Sequence, residues 1–288
     1  MKVLITGANG QLAKTLQSTV PIDMEVVALT RQAFDISDET LCEKMIELHR
    51  PNVVINTAAY NQVDKAETDK EQAYAINASG PGYLAKSALT HGARLIHVST
   101  DYVFSGAQGS PYKLDSQTSP ISYYGETKYL GEKIVLDVSP DHLVFRTAWV
   151  YSRYDNNFVT TMLHLLGEKE ELSIISDQVS TPTWTGSLAE AIWRSVSNPG
   201  VKGLQHLTDA GVATRYDFVC AIKEKALRLG LLQKAAIVKP IQSIDYPQAA
   251  ARPCYSVLDK TPTWNALSIN PVHWEAVLEK VLKTIKRQ

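Results

Sequence analysis

A buried strand that runs straight into a glycine-spaced turn and then a helix limits this chain to few architectures. Lys2-Val3-Leu4-Ile5-Thr6 is apolar, Gly7-Ala8-Asn9-Gly10-Gln11-Leu12-Ala13 follows it, and Lys14-Thr15-Leu16 continues as a helix. Gly7 permits the tight turn, Gly10 lets the backbone approach a pyrophosphate, and a small residue at position 13 lets the helix pack on the strand. The first amides of that helix have no partners within it and attract an anion. Further apolar runs, Glu25-Val26-Val27-Ala28-Leu29, Asn52-Val53-Val54-Ile55-Asn56-Thr57, Leu95-Ile96-His97-Val98 and His142-Leu143-Val144-Phe145-Arg146, alternate with helical patterns. This alternation predicts an α/β fold, a Rossmann-like doubly wound parallel sheet, with ligands outside the carboxyl ends of its strands. Residues 1–150 are expected to form the NAD(P)-binding domain, with parts of 172–208 returning to it. Residues 151–288 are expected to form mainly a smaller mixed α/β domain that binds the substrate.

Charge narrows the partners. The 29 Lys and Arg balance 30 Asp and Glu, with no long run of one sign. That argues against a nucleic-acid or membrane-surface role while leaving room for a local basic pocket. No apolar run approaches the roughly 18 residues of a membrane span, and Lys2 leads directly into a strand, so no leader is expected. Cys42, Cys220 and Cys254 are far apart, without metal-ligand spacing, as expected of reduced thiols in a cytoplasmic protein. Cys42 falls on a helical pattern and reads as a small buried hydrophobe.

Chemistry concentrates between residues 99 and 128. Ser99-Thr100-Asp101-Tyr102-Val103-Phe104 follows a strand, and Tyr123-Tyr124-Gly125-Glu126-Thr127-Lys128 opens a helix. Tyr124 and Lys128, four apart, share one helix face, whereas Tyr123 faces elsewhere. An ammonium beside a phenol favours the phenolate and lowers its pKa from about 10 toward a catalytic range. Thr100 is placed to hold a carbonyl oxygen beside that phenol. Asp101 either binds a sugar hydroxyl or caps local backbone amides.

These motifs together resemble the extended short-chain dehydrogenase/reductases, which use the G-x-x-G-x-x-A form of the glycine turn. Within them, Ala58-Ala59-Tyr60 with Val63-Asp64-Lys65-Ala66-Glu67, then Arg146-Thr147-Ala148-Trp149-Val150-Tyr151, Asn156-Asn157-Phe158 and Asp177-Gln178-Val179-Ser180-Thr181-Pro182-Thr183 resemble the dTDP-4-dehydrorhamnose reductase family. The resemblance runs from Met1 to about Asp259. It implies that Gly7, Gly10, Gln11, Leu12, Asp35, Ile36, Ala59, Tyr60, Asn61, Tyr124 and Lys128 contact the cofactor, Asp35 and Ile36 flanking the adenine. It also places Val63, Thr100, Asp101 and Trp149 at the substrate. Asp38 reads as a helix cap, Arg146 as structural, and Pro81 with Gly82 as a helix kink. Asn77 either braces the active site or bonds nearby backbone. Arg252 either meets a substrate phosphate or holds a loop.

The implied activity is reduction of a 4-keto-6-deoxy nucleotide sugar by NAD(P)H, with Tyr124 as proton donor, Lys128 tuning it and Thr100 holding the carbonyl. Relatives that dehydrate a nucleotide sugar carry Thr-Asp-Glu; Tyr102 replaces that second acid here, which favours simple reduction. After the second strand the usual acid is missing and Thr30-Arg31 stands in its place, so Arg31 is expected to meet a 2′-phosphate and NADPH is favoured, with NADH possible. Some relatives bridge a dimer with a metal held by acids, one just inside the first helix; Lys14-Thr15 stands there, so no metal is expected. A homodimer is the family's habit. Departures at Ala13, Thr57, Ala148 and Ser180 keep open a different keto sugar, and a non-catalytic NADP-binding regulatory subunit is the other alternative.

Overall fold

The structure is a computed structural model that describes residues 1–154 and 156–285. Six parallel strands form its central sheet: β1 (Lys2–Thr6), β2 (Glu25–Leu29), β3 (Val53–Asn56), β4 (Arg94–Thr100), β5 (Leu143–Thr147) and, at the far edge, residues Gly203–His206. The spatial order is Gly203–His206, β5, β4, β3, β1, β2. The order therefore reverses between β1 and β3, and a crevice opens there because the connections leave on opposite faces.

Strand alternation builds the two faces. Val3 and Ile5 point one way, into a layer with α1 (Gln11–Ser18) and the helix Thr185–Ser197; Leu4, Val54, Leu95 and Val144 point the other, into α2 (Glu39–His49) and residues 63–90. Cys42 is fully buried in that second layer, and burial drives its thiol up to about 12. Asp38 accepts from Leu41 N at 3.0 Å and caps α2, as its position before the helix implies.

Residues 63–90 carry α3 (Val63–Ala66), α4 (Lys70–Tyr74), a π-helical turn (Ala75–Ser79) and α5 (Gly80–Thr90). The irregularity takes the form of the π turn, which continues helically into Gly80 and Pro81; Pro81 follows it by two residues and has no N–H to give to a carbonyl of that turn. The π turn carries Asn77, fully buried, whose side chain bonds Tyr60 N and O at 2.8 and 3.1 Å and Thr127 Oγ1 at 3.2 Å. Asn77 thus braces the loop after β3 against the next helix, α6 (Tyr123–Val138). Contact is close enough that a Cβ on Gly131 would sit 2.1 Å from Asn77 O, which requires glycine there.

Beyond β5 come β6 (Val150–Tyr151), α7 (Phe158–Glu168), β7 (Glu171–Ile175), β8 (Val179–Ser180) and β9 (Thr183–Trp184), then α8 (Thr185–Ser197) and β10 (Gly203–His206), the edge strand. α8 and β10 lie on the large sheet. β7 instead pairs in parallel with β12 (Ile237–Ile241). Between them in sequence are β11 (Ala213–Thr214), paired with β8, and α9 (Arg215–Arg228). A third cluster, around Tyr151, Val159, Phe218, Ile222 and Leu278, gathers α7, α9 and the closing helix Trp274–Ile285. Asn157 starts α7 with a capping box completed by Thr160. No helix of the described residues is long and apolar enough to cross a membrane.

Candidate active site

The turn after β1 is shaped by Gly7, whose φ of +70° and close approach to Ala58 leave no room for a side chain. Gly10 N closes the turn on Gly7 O at 2.9 Å, and α1 starts at Gln11 with Ala13 buried against the sheet. Opposite, Thr57 Oγ1 donates to Thr6 O at 2.7 Å and ties the ends of β3 and β1 together. Two cavities meet across this switch point, sharing Gly10, Thr57, Ala59 and Asn61. The smaller, about 270 Å³, adds Gly7, Arg31, Asp35 and Ile36; the larger, about 380 Å³, adds Gln11, Leu12, Val63 and the wall formed by β4 and α6. An elongated cleft with an adenine-sized end at β2 and a second end over β4 suits a dinucleotide.

That wall brings Thr100, Asp101, Tyr124, Lys128 and Trp149 into one cavity. β4 ends at Thr100, whose Oγ1 accepts from Tyr102 N at 3.2 Å and starts a short 3-10 turn. Ser122 caps α6 by accepting from Gly125 N, and Glu67 Oε1 accepts from Tyr123 N at 2.8 Å, so two side chains anchor the turn that presents Tyr124. Tyr123 points away from the cavity, under the Lys70 ammonium. Tyr102 meets Tyr124 edge to face, ring centroids 5.7 Å apart.

The electrostatics differ from the sequence expectation. Burial drives the Tyr124 phenol well above its ordinary pKa, a hydrogen bond with Thr100 pulls it partly back, and Asp101 and Tyr102 push it further up. Lys128 does not bring the phenol down. Its Nζ donates to Val98 O at 2.6 Å, and burial lowers its pKa to about 8, against the opposing pull of Glu132. Tyr124 therefore stays protonated through neutral pH, the form that can give a proton away.

Asp101, 2% exposed, accepts from Thr100 Oγ1 at 3.1 Å, Ser180 Oγ at 3.1 Å and Ser256 Oγ at 2.5 Å. Hydroxyls without a countercharge offset little of the desolvation, which raises its pKa to about 6 from 3.8. The folded protein then binds this proton more tightly than the unfolded chain. The stabilising contribution is full below about pH 4 and is lost as pH rises through about 6. Asp101→Asn is expected to flatten this part of the stability–pH curve, measured by urea midpoints between about pH 4 and pH 7. An unchanged slope would move the effect to Asp209, buried and also raised to about 6.

The other assigned residues divide. Ala59, Asn61, Gln11, Leu12 and Val63 line the cleft, but the Tyr60 ring turns into the core, its hydroxyl on Asp69 at 2.9 Å, leaving only its backbone near the loop. Asp35 accepts from Ser37 N and Oγ and from Arg31 Nε at 3.3 Å. Trp149 takes a left-handed φ of +44°, a strained conformation for an aromatic residue, at the cavity wall. Arg146 is structural, paired with Glu132 at 2.7 Å. Arg252 holds a loop, its guanidinium on Asp64 at 2.6 and 3.1 Å and on Ala250 O. Sequence reasoning missed Glu67, Glu132 and Arg215. The last sits at the start of α9 and lines the larger cavity with its guanidinium over the Trp149 ring.

A nicotinamide dinucleotide fits these residues on the structure's own terms. Gln11 Oε1 and Thr147 Oγ1 are buried at the cleft without a hydrogen-bond partner, which a bound polar group would satisfy.

The sheet order, the cleft at its switch point and the Tyr–Lys pair on α6 are those of a short-chain dehydrogenase/reductase. The chain belongs to the RmlD substrate binding domain family, whose model matches residues 1–287. It is similar to a dTDP-4-dehydrorhamnose reductase of Aggregatibacter actinomycetemcomitans, 37% identical over 287 residues that cover 97% of this chain and 98% of the relative. A probable dTDP-4,6-dihydroxy-2-methyloxan-3-one 4-ketoreductase of Streptomyces antibioticus is 38% identical over 99% of this chain and 96% of the relative. The crystal structure of a dTDP-4-dehydrorhamnose reductase from Bacillus anthracis in complex with NADP superposes with a TM-score of 0.92 at 32% identity, covering 98% of this chain and 99% of that one.

Proposed function

We propose that this chain is an NADPH-dependent oxidoreductase that reduces a dTDP-linked 4-keto-6-deoxy sugar, with dTDP-4-dehydro-L-rhamnose to dTDP-L-rhamnose as its reaction. The observation that carries this reading is the convergence of Thr100, Tyr124 and Lys128 on one cavity wall, with Tyr102 where a dehydrating enzyme has a second acid. Family membership and the names of the full-length relatives support the same reading.

NADPH, when bound, supplies the hydride that reduces the sugar's C4 carbonyl. Thr100 Oγ1, which donates to Asp101 Oδ1 at 3.1 Å in the free protein, turns that proton to the carbonyl oxygen, which sits beside the Tyr124 phenol in the same cavity. Tyr124 gives its proton to that oxygen as negative charge develops there. Lys128, mostly ammonium at neutral pH and held on Val98 O, lines the same cavity one helical turn away and bonds the nicotinamide ribose. Gln11, Thr147 and Lys128 hold the nicotinamide side, and Gly7 and Gly10 leave space for the pyrophosphate. Asp101 and Trp149 orient the sugar. Fixing the carbonyl between two hydroxyls at a buried wall accounts for rate through positioning.

Arg31 stands at the mouth of the smaller cavity, its side chain 60% exposed and lightly held by Asp35. It is read as the 2′-phosphate contact. Arg31→Ala is expected to raise the KM for NADPH by on the order of tenfold and to leave that for NADH nearly unchanged. An unchanged preference between the two would remove Arg31 from cofactor selection.

The direct test is NADPH oxidation, followed by absorbance, with dTDP-4-dehydro-L-rhamnose generated in situ and other dTDP-4-keto sugars alongside. The Streptomyces relative's name supports a second reading, the same chemistry on a different keto sugar. Preference for another sugar in this panel would establish it; no turnover on any of them would remove the activity. A homodimer and a cytoplasmic location belong to the same reading, the former checked by light scattering of the purified protein.

A further inference from the structure

We propose that Arg215 is the anion-binding residue of the substrate cavity and takes the diphosphate of the nucleotide sugar. The inference rests on the keto-sugar reading above, and it adds to that reading the residue that selects a nucleoside diphosphate sugar over a free sugar.

Arg215 is the first residue of α9, a 14-residue helix, and its side chain reaches back into the larger cavity. The guanidinium lies over the Trp149 ring at 4.4 Å and over Phe158 at 5.4 Å, which fixes its plane. Its hydrogen-bond partners are neutral: Nε donates to Gln178 Oε1 at 3.2 Å and Nη2 to Tyr102 Oη at 3.5 Å. Among the described residues no carboxylate pairs with it. Asp217, two residues on, is committed to the capping box, accepting from Thr214 N and Oγ1 at 2.9 and 2.7 Å.

The other cations near this end are accounted for. Arg252 is neutralised by two bonds to Asp64. Lys128 is buried and bonded to Val98 O at the reacting end. Arg215 is therefore the cation of this cavity whose charge is not compensated and whose donors are still available. A half-buried guanidinium held flat on an aromatic face, with neutral partners, is prepared for a bidentate anion.

Position fits as well. Tyr102 spans the distance between the reacting end and Arg215, touching the Tyr124 ring with its own and the guanidinium with its hydroxyl. A hexose with its C4 at Tyr124 carries its C1 substituent at the opposite side of the ring, toward Arg215. In a nucleotide sugar that substituent is the diphosphate. The strained backbone of Trp149 serves this arrangement, since its ring supports the guanidinium on one side of the sugar site.

The test combines Arg215→Gln with Arg215→Lys, both assayed with NADPH and dTDP-4-dehydro-L-rhamnose, and a titration of dTDP into the NADP-loaded protein. Arg215→Gln is expected to raise both the KM of the sugar nucleotide and the Kd of dTDP by on the order of ten- to a hundredfold, as loss of a charge-assisted bidentate contact does. kcat and NADPH affinity should stay within about threefold, because neither reacting group is touched. Arg215→Lys should recover part of the loss. The wild-type Kd for dTDP should weaken as salt rises from about 0.02 to 0.2 M, and this dependence should shrink in Arg215→Gln. A packing role alone would not move the salt dependence. Unchanged dTDP affinity with an unchanged salt dependence in Arg215→Gln would overturn the proposal. If the wild type turns over no dTDP-4-keto sugar, the reading of the activity fails, while the dTDP titration still decides the role of Arg215. If Arg215→Gln does not fold, Arg215→Lys and the wild-type salt dependence decide it.

Discussion

Tyr124→Phe is expected to lower kcat by about 10²- to 10⁴-fold, the usual size of a lost general acid, while the Kd for NADPH stays within about twofold. The substitution removes one oxygen and keeps the ring, so the edge-to-face contact with Tyr102 at 5.7 Å survives. Nothing else at the wall is equipped to replace the proton. Thr100 is a hydroxyl of ordinary acidity, and Lys128 has its Nζ on Val98 O. Asp101, with a pKa of about 6, is mostly ionised at neutral pH. The residual rate of Tyr124→Phe is therefore expected to rise as pH falls toward about 6, where Asp101 carries a proton. Stopped-flow single turnovers with saturating NADPH separate this chemical step from binding. Wild-type turnover in the variant would dismiss Tyr124 as the acid.

The second large effect is on stability. Glu132 on α6 and Arg146 on β5 are 2% and 3% exposed and are joined by three hydrogen bonds between 2.7 and 3.1 Å, with Ser99 Oγ adding a fourth to Glu132 at 2.5 Å. His206, on the edge strand, lies 3.5 Å from the same guanidinium. Burial and that guanidinium lower its pKa to about 3, so it is neutral and supplies no countercharge. Truncating one member of such a pair leaves a buried charge uncompensated. Glu132→Ala is expected to cost about 3–5 kcal/mol, and replacing both partners, Glu132→Leu with Arg146→Met, is expected to recover much of the loss. Urea unfolding of the three variants measures this. A loss below about 1 kcal/mol in the single variant would mean that water reaches the pair. The functional consequence follows from position, since the pair locks α6, which carries Tyr124 and Lys128, to the strands beneath it.

Local chemistry was readable in the sequence where neighbours in the chain decide the outcome. Gly7 needs its left-handed backbone because of the turn it makes, Asp38 caps the helix it precedes, and Tyr124 and Lys128 share a face by helical spacing. The alternation of apolar strands with helices anticipated the parallel sheet and the cleft at its switch point. Long-range partnerships were not readable. Nothing near Glu132 announces Arg146, and nothing near Glu67 announces that it bonds the first amide of α6, 56 residues on. Arg215 looked like an ordinary residue at a helix start until the fold laid it on Trp149. The π turn was hidden for another reason. One inserted residue shifts the buried face by part of a turn, which a stretch as rich in small residues as 70–90 does not register, and the sequence pointed only to the Pro81 that closely follows it. The phenol's acidity was misjudged because spacing sets where Lys128 lies along the helix, whereas burial and Val98 O decide how its charge acts.

The account turns on hydride delivery to a sugar C4 at the Thr100–Tyr124–Lys128 wall. It is tested most directly with NADPH deuterated at nicotinamide C4 and dTDP-4-dehydro-L-rhamnose, the product being read by NMR. The account predicts one deuterium at C4 of the product sugar per NADPH consumed, with incorporation largely abolished in Tyr124→Phe. Binding of NADPH with no deuterium transferred to this or any other dTDP-4-keto sugar would contradict it.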